Sequence, residues 1–207
     1  MHKRYDAGVE KAQLGRPRAF DADEALEKAM VVFWQQGYEG ASLTDLTEAM
    51  GISRKSMYAA YGNKEELFRK VLQRYTDGPA SYVVDALKAP TAHEAAAMFL
   101  TGSVRASTTP GWPTGCLGVQ GALAVGETGQ VAHDALAQWR ALGQMHLRDR
   151  FRRAVREGDL PADADPEMIA RYLMTIANGL AVQASGGASR EDLQQVADAA
   201  LRNWPPT

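Results

Sequence analysis

Apolar positions recur at helical spacing through most of the chain, and they predict helices rather than strands. From Asp21 to Gln36, Leu26, Ala29, Met30, Phe33 and Trp34 share one face, and Asp21, Asp23 and Glu24 suit the positive N-terminal end of that helix. Gly37 stops it, and a short turn from Tyr38 to Ala41 follows. Ser42 with Asp45 has the form of a capping box ahead of Leu43, Leu46 and Met50, and Gly51 ends this second helix after two turns. Ser53 caps a third, very short helix, Arg54 to Ala60. Asn63 with Glu66 repeats the capping pattern, and Leu67, Phe68, Val71, Leu72 and Tyr75 carry a fourth apolar face to about Thr76, closed by Gly78-Pro79.

The pattern continues beyond the turn. An alanine-rich helix is predicted from Thr91 to Arg105, followed by a loop over 107–115, STTPGWPTG. The stretch from Cys116 to Val125 is ambiguous, because glycines at 118, 121 and 126 lower its helix propensity. A long helix runs from about Gln130 to Glu157 and ends at Gly158; another starts at Asp165-Pro166 and reaches Ser185. Gly186-Gly187 breaks it, and Ser189 with Asp192 caps a last helix to about Asn203. No strand, heptad run or short repeat is apparent, so the predicted fold class is all-α.

Composition narrows the class. The 207 residues fit one large domain or a small and a larger one, and 45% hydrophobic content is enough for a packed core. Net charge is −2; residues 1–75 hold 12 Lys/Arg against 11 Asp/Glu and the remainder 11 against 14, too small an asymmetry to argue DNA binding alone. The single cysteine, Cys116, excludes an internal disulfide framework and a multi-cysteine metal site. The first residues, MHKRYDAGVEKAQLGRPR, lack the apolar segment of a signal peptide, and no stretch approaches the ~18 apolar residues of a membrane span. A soluble, cytoplasmic protein is expected. Residues 1–20 read as a flexible basic arm: either a solvated tail or a segment whose Arg16 and Arg18 touch phosphate or the minor groove. The histidines at 2, 93, 133 and 146 are scattered, and no metal-ligand pair at helical spacing, phosphate loop or G-x-S-x-G occurs. Neither an enzyme, a cofactor nor a metal is expected.

Residues 42–60 carry the candidate chemistry. Two short helices joined by a tight glycine turn can present the second helix to a DNA major groove, although the same unit also occurs as plain packing. Leu43, Leu46, Thr47, Met50, Ile52 and Met57 fall inward, which leaves Arg54, Lys55, Ser56, Tyr58 and Ala59 facing out. Arg and Lys donate to guanine acceptors, and small residues let a helix sit deep. Tyr58, Thr44 and Lys64 can donate to phosphates and set the register. Lys64 lies in the first turn of a helix, where a cation opposes the dipole, so a contact role is favoured over a stabilising one.

Residues 16–75 resemble the TetR/AcrR family of regulators. The apolar first helix, Gly37-Tyr38, Ser42-Leu43-Thr44, MGIS at 50–53, Met57-Tyr58 and NKEELF at 63–68 stand in family order and spacing. GCLGV at 115–119 is similar to a segment of one family branch. The resemblance implies an N-terminal three-helix DNA-binding domain with a helix-turn-helix over 21–62, and a C-terminal helical ligand-binding and dimerisation domain over 63–207. It implies that Ser42 and Thr44 meet phosphate, that Arg54, Lys55, Ser56 and Ala59 approach bases, that Tyr58 and Lys64 hold the backbone, and that Tyr61 is core. Ala59-Ala60 departs from the family, where a ring and a tyrosine are frequent.

From the same resemblance follow three partners: a double-stranded DNA operator, a small-molecule effector and a second copy of the chain. The copies would pair through helices 166–185 and 189–203, whose apolar residues include Met168, Ile169, Tyr172, Leu173, Ile176, Leu180, Leu193, Val196, Ala200, Leu201 and Trp204. The alternative is that these faces pack only within the chain. Candidate effector contacts are Met98, Phe99, Trp112, Cys116, Trp139, Met145 and Met174, with Trp112 as a lid; Gln120, His133 and His146 are the polar candidates. The expected function is a ligand-responsive repressor, released from its operator by an apolar or aromatic effector. The competing readings are a redox sensor built on Cys116, a helical enzyme, and an architectural protein without sequence preference.

Overall fold

A computed structural model of the chain describes residues 20–121, 126 and 129–205. The predicted basic arm, with Arg16 and Arg18, lies outside the described residues. Among them the chain is all-helical: α1 Ala22–Gly40, α2 Leu43–Met50, α3 Arg54–Tyr61, α4 Lys64–Asp77, α5 Tyr82–Lys88, α6 Ala92–Ser107, α7 Leu117–Gln120, α8 Gln130–Glu157, α9 Pro166–Ser185 and α10 Arg190–Arg202.

The predicted caps set the helix boundaries. Ser42 and Asp45 each accept the other's backbone N–H in a full capping box on α2, and Asn63 and Glu66 do the same on α4; Thr91 and Glu94 form a third such box on α6 that the sequence reading did not identify. Gly37 is a kink rather than a stop: its φ of 70° and ψ of 174° break the helical path, and α1 resumes for one more turn to Gly40. α5 has no counterpart in the sequence reading. Its N-cap Ser81 is itself helical and makes no side-chain cap bond, so the start signal is missing. Of the ambiguous stretch from Cys116 to Val125, residues 116–121 are described and hold the single turn of α7.

Two cores result. The first takes in Met30, Phe33 and Trp34 of α1, Leu46 and Met50 of α2, Met57 and Tyr61 of α3, and Leu67, Phe68, Val71 and Tyr75 of α4; Leu117 of α7 and Ala132 and Leu136 of α8 complete it. Phe68 meets both Phe33 and Tyr38 edge-on, with ring centroids 5.1 and 5.2 Å apart. The second core joins Phe99 and Leu100 of α6, Leu147 and Phe151 of α8, Leu173 and Leu180 of α9, and Leu193 and Ala197 of α10. Arg150, buried on α8, donates to the Ala89 carbonyl and ties α8 to the α5–α6 connection.

Candidate nucleic-acid interface and adjoining cavity

The helix-turn-helix is held from inside. Leu46, Thr47, Met50 and Met57 are buried, Leu43 and Ile52 partly so, and the Thr47 hydroxyl is spent on the Leu43 carbonyl at 2.8 Å. Gly51 turns the chain between α2 and α3 with left-handed dihedrals, φ 67° and ψ 30°. Ser53 caps α3 and also pairs with Ser56, hydroxyl to hydroxyl at 3.0 Å. Tyr61 is core, with its hydroxyl donating to the Ala22 carbonyl at 2.6 Å. That bond fixes the C-terminal end of α3 to the start of α1.

What α3 leaves outward is Arg54, Lys55, Tyr58 and Ala59, with Ser56 half-buried beside them. Tyr58 is 48% exposed although it is a large ring. Arg54 is turned back: its Nη2 donates to the Thr44 hydroxyl at 2.8 Å, bridging α3 to the first turn of α2. Ser42 and Thr44 are themselves exposed, so the start of α2 and the face of α3 form one polar surface.

Lys64 has a partner that sequence reading missed. Its ammonium lies 4.5 Å from the centre of the Tyr38 ring, a cation–π contact, and partial burial lowers its pKa. The unfavourable dipole position is thus offset by packing, and the inference that a cation there serves only DNA loses its force.

A cavity of about 290 Å³ lies behind the interface, among α4, α5, α6, α8 and α9. Phe99, Cys116, Trp139 and Met174 border it, together with Tyr75, Tyr82, Ser103, Ser107, His146 and Asn178. Tyr75 is buried and donates to Cys116 Sγ at 3.1 Å. Burial pushes the Cys116 thiol up, opposed in part by that hydrogen bond. The Trp139 indole N–H donates to the Thr76 hydroxyl at 2.9 Å, where the cavity meets an open groove between α4 and α8.

Two family models match the chain: bacterial regulatory proteins of the tetR family over residues 25–71, and the tetracyclin repressor-like C-terminal domain over residues 95–200. The HTH-type transcriptional repressor ComR of Escherichia coli K12 is 35% identical over 198 residues, 94% of each protein. The chain belongs to the tetR family. Among solved structures, the TetR family transcriptional regulator CifR, a cysteine mutant complexed with 26-bp double-strand operator DNA, is 46% identical with a TM-score of 0.88, covering 92% of this chain and 100% of that one. A putative TetR regulator from Rhodococcus sp. RHA1 is 44% identical with a TM-score of 0.62, covering 88% and 98%. As a member of a regulator family, the protein is a transcriptional regulator and not an enzyme.

Measured against a tetR-family sensing domain, the predicted effector contacts divide. Phe99, Cys116, Trp139 and Met174 reach the cavity wall, as does His146. Met98 does not: it is 43% exposed on the outer face of α6, one residue round the helix from Phe99. Trp112 is no lid, because its ring packs on Trp34 of α1 at 6.1 Å and belongs to the first core. Met145 is not among the residues of α8 that border the cavity, which are Trp139, Leu142, Gly143 and His146. Gln120 is anchored, donating to the Thr114 carbonyl at 3.1 Å, and His133 pairs with Asp134 at 3.2 Å near the start of α8. Sequence reasoning missed Tyr75 as a cavity group, since a tyrosine on an apolar stripe reads as core, and missed Tyr82 with the rest of α5. Of the predicted pairing residues, Ile169, Leu173, Leu180, Leu193 and Ala200 are buried within the chain, while Val196 is 52% exposed and Val182 beside them 50%. No described helix is long and apolar enough to cross a membrane.

Proposed function

We propose that this regulator is a repressor that binds a near-palindromic operator as a homodimer and releases it when a small apolar or aromatic effector fills the cavity. The observation that carries the reading is the outward face of α3. It presents Lys55, Tyr58 and Ala59 on a short helix capped at its start, bonded at its end and supported by buried residues. The operator complex of CifR and the repressor function of ComR support it. In this reading Lys55, Ser56, Ala59 and Arg54 face bases, with Arg54 braced by Thr44. Ser42, Thr44, Tyr58 and Lys64 hold phosphates, and Arg16 and Arg18 extend the contact from the arm. Residues 1–20 are then the arm, 21–62 the reading head and 63–207 the sensing and pairing half.

Pairing through α9 and α10 is supported by Val182 and Val196, large apolar side chains left half exposed on two adjacent helices. A symmetric dimer places two reading heads one helical turn apart or a multiple, about 34–36 Å. Release requires that effector prefer the non-binding state by ~10⁴-fold to move the population from 1:99 to 99:1. A redox switch at Cys116 draws no support, since a buried thiol with a raised pKa presents little thiolate at neutral pH.

Selection of bound sequences from random DNA, followed by titration at several salt concentrations, tests the assignment. A specific regulator discriminates its site from scrambled DNA by ~10³ or more. Lys64→Ala weakens binding at all sites and lowers the salt slope by about one, whereas Lys55→Ala changes the preferred bases. Equal binding to scrambled DNA would sink the proposal.

A further inference from the structure

We propose that the cavity selects a neutral molecule with an apolar body and one hydrogen-bond acceptor, and that the hydroxyls of Tyr75 and Tyr82 are the groups that read the acceptor. The assignment rests on the cavity being the effector site.

The first argument is charge. Among the described residues no Lys, Arg, Asp or Glu borders the cavity, and the basic side chain there is the imidazole of His146, exposed on α8. Arg140, whose charge is felt at Cys116, is not among the wall residues, and its guanidinium donates to the Gly118 carbonyl. A carboxylate or ammonium ligand would leave water with no permanently charged partner among these residues to meet it, a cost that burial makes large.

The second argument is the kind of polar group present. Tyr75, Tyr82, Ser103, Ser107 and Cys116 are all neutral hydrogen-bonding groups at the wall. Burial raises the pKa of both phenols and of the thiol, so all three keep their protons at neutral pH and serve as donors. The Tyr75 hydroxyl now donates to sulfur, a weak acceptor. An oxygen on a ligand is a better partner, so exchange of Sγ for a carbonyl, ether or hydroxyl oxygen is favourable. Tyr82 is positioned as firmly: its ring lies so close over Gly102 that a Cβ there would come within 2.4 Å of it.

Size completes the class. A volume of about 290 Å³ is at the lower end for ligand cavities, roughly ten times the share of one liquid water. It suits a single ring with a short substituent.

Three probes of nearly equal shape separate the possibilities: acetophenone, ethylbenzene and benzoate. Binding to the full chain is read by thermal stabilisation and by the change in tryptophan emission, since Trp139 borders the cavity. Acetophenone should bind roughly tenfold more tightly than ethylbenzene, the worth of one neutral hydrogen bond, and benzoate more weakly than either. Tyr75→Phe and Tyr82→Phe should each reduce the advantage of acetophenone and leave ethylbenzene unchanged; that unchanged binding shows the cavity is intact, and either variant serves if the other does not fold. Benzoate binding as tightly as acetophenone, or acetophenone matching ethylbenzene, overturns the ligand class while leaving the cavity as a site. Failure of all three probes to stabilise the chain or to change its tryptophan emission overturns the cavity as a site.

Discussion

Gly37→Ala is the substitution for which the structure gives the most specific expectation. Gly37 has φ 70° and ψ 174°, a region of backbone space essentially confined to glycine. Holding an alanine there costs of order 1–3 kcal/mol. The surroundings add to it, because an ideal Cβ would stand 3.2 Å from the Gly121 carbonyl oxygen. That oxygen accepts the Tyr38 N–H at 2.9 Å, so moving it away stretches a bond with a net worth of about 1 kcal/mol. Together the loss is roughly 2–4 kcal/mol, and at ~2–4 °C per kcal/mol for a chain of this size the melting temperature should fall by about 5–15 °C.

Gly51→Ala is the internal comparison. Its φ of 67° and ψ of 30° are left-handed but accessible, and nothing stands within 4 Å of the added Cβ, so the cost stays near 1–2 kcal/mol. Urea unfolding of both variants, followed by circular dichroism and by tryptophan emission, ranks them. A Gly37→Ala variant no less stable than Gly51→Ala would refute the claim that the α1 kink is locked against α7.

Loss of the Ser42 cap in Ser42→Ala should lower stability by about 1 kcal/mol in denaturant melts, and should also weaken DNA binding if the hydroxyl meets phosphate. Phe99→Ala should cost about 3–5 kcal/mol, whereas Met98→Ala should change the unfolding midpoint little; similar losses would contradict the placement of Met98 outside. The native chain holds the Cys116, Tyr75 and Tyr82 protons more tightly than the unfolded chain does. Their contribution is therefore complete below the ordinary thiol pKa of about 8.5 and is lost as pH rises above it. Urea midpoints across pH 7 to 10 should fall at the alkaline end, and Cys116→Ser should remove the first step of that fall.

Helix starts were legible because capping is local chemistry: Ser42, Asn63 and Ser189 each bond three residues ahead, within the reach of a short sequence window. The face of α3 was legible for the same reason, since eight residues between two caps leave little choice of which side packs. Other features depend on partners distant in the chain. Lys64 meets Tyr38 across 26 positions, and Arg54 meets Thr44 on a different helix, so neither interaction has a spacing that a sequence window can see. The cavity was only half legible. Adjacent residues on a helix differ by about 100°, so Met98 and Phe99 look alike in composition and diverge completely in surroundings. α5 was missed because its start carries no side-chain cap and its seven residues are too few to build a long apolar pattern.

The part of the ambiguous Cys116–Val125 stretch that is described, residues 116–121, is also where the two halves of the chain meet. Cys116 and Val119 face the cavity, Leu117 belongs to the core under the reading head, and the Gly121 carbonyl holds the Tyr38 N–H. Its glycines are there for close approach: a Cβ at Gly118 would fall 2.2 Å from the Trp139 ring, which itself borders the cavity. A four-residue helix bonded to α1 at one end and exposed to the cavity at the other has little internal slack. Packed interiors do not deform smoothly, so a ligand that displaces Cys116 or Val119 must displace α1 as well or fail to enter. The low helix propensity that made this stretch ambiguous in sequence is thus a consequence of its position: its glycines make room for close neighbours on α8, Trp139 at Gly118 and Leu136 at Gly121.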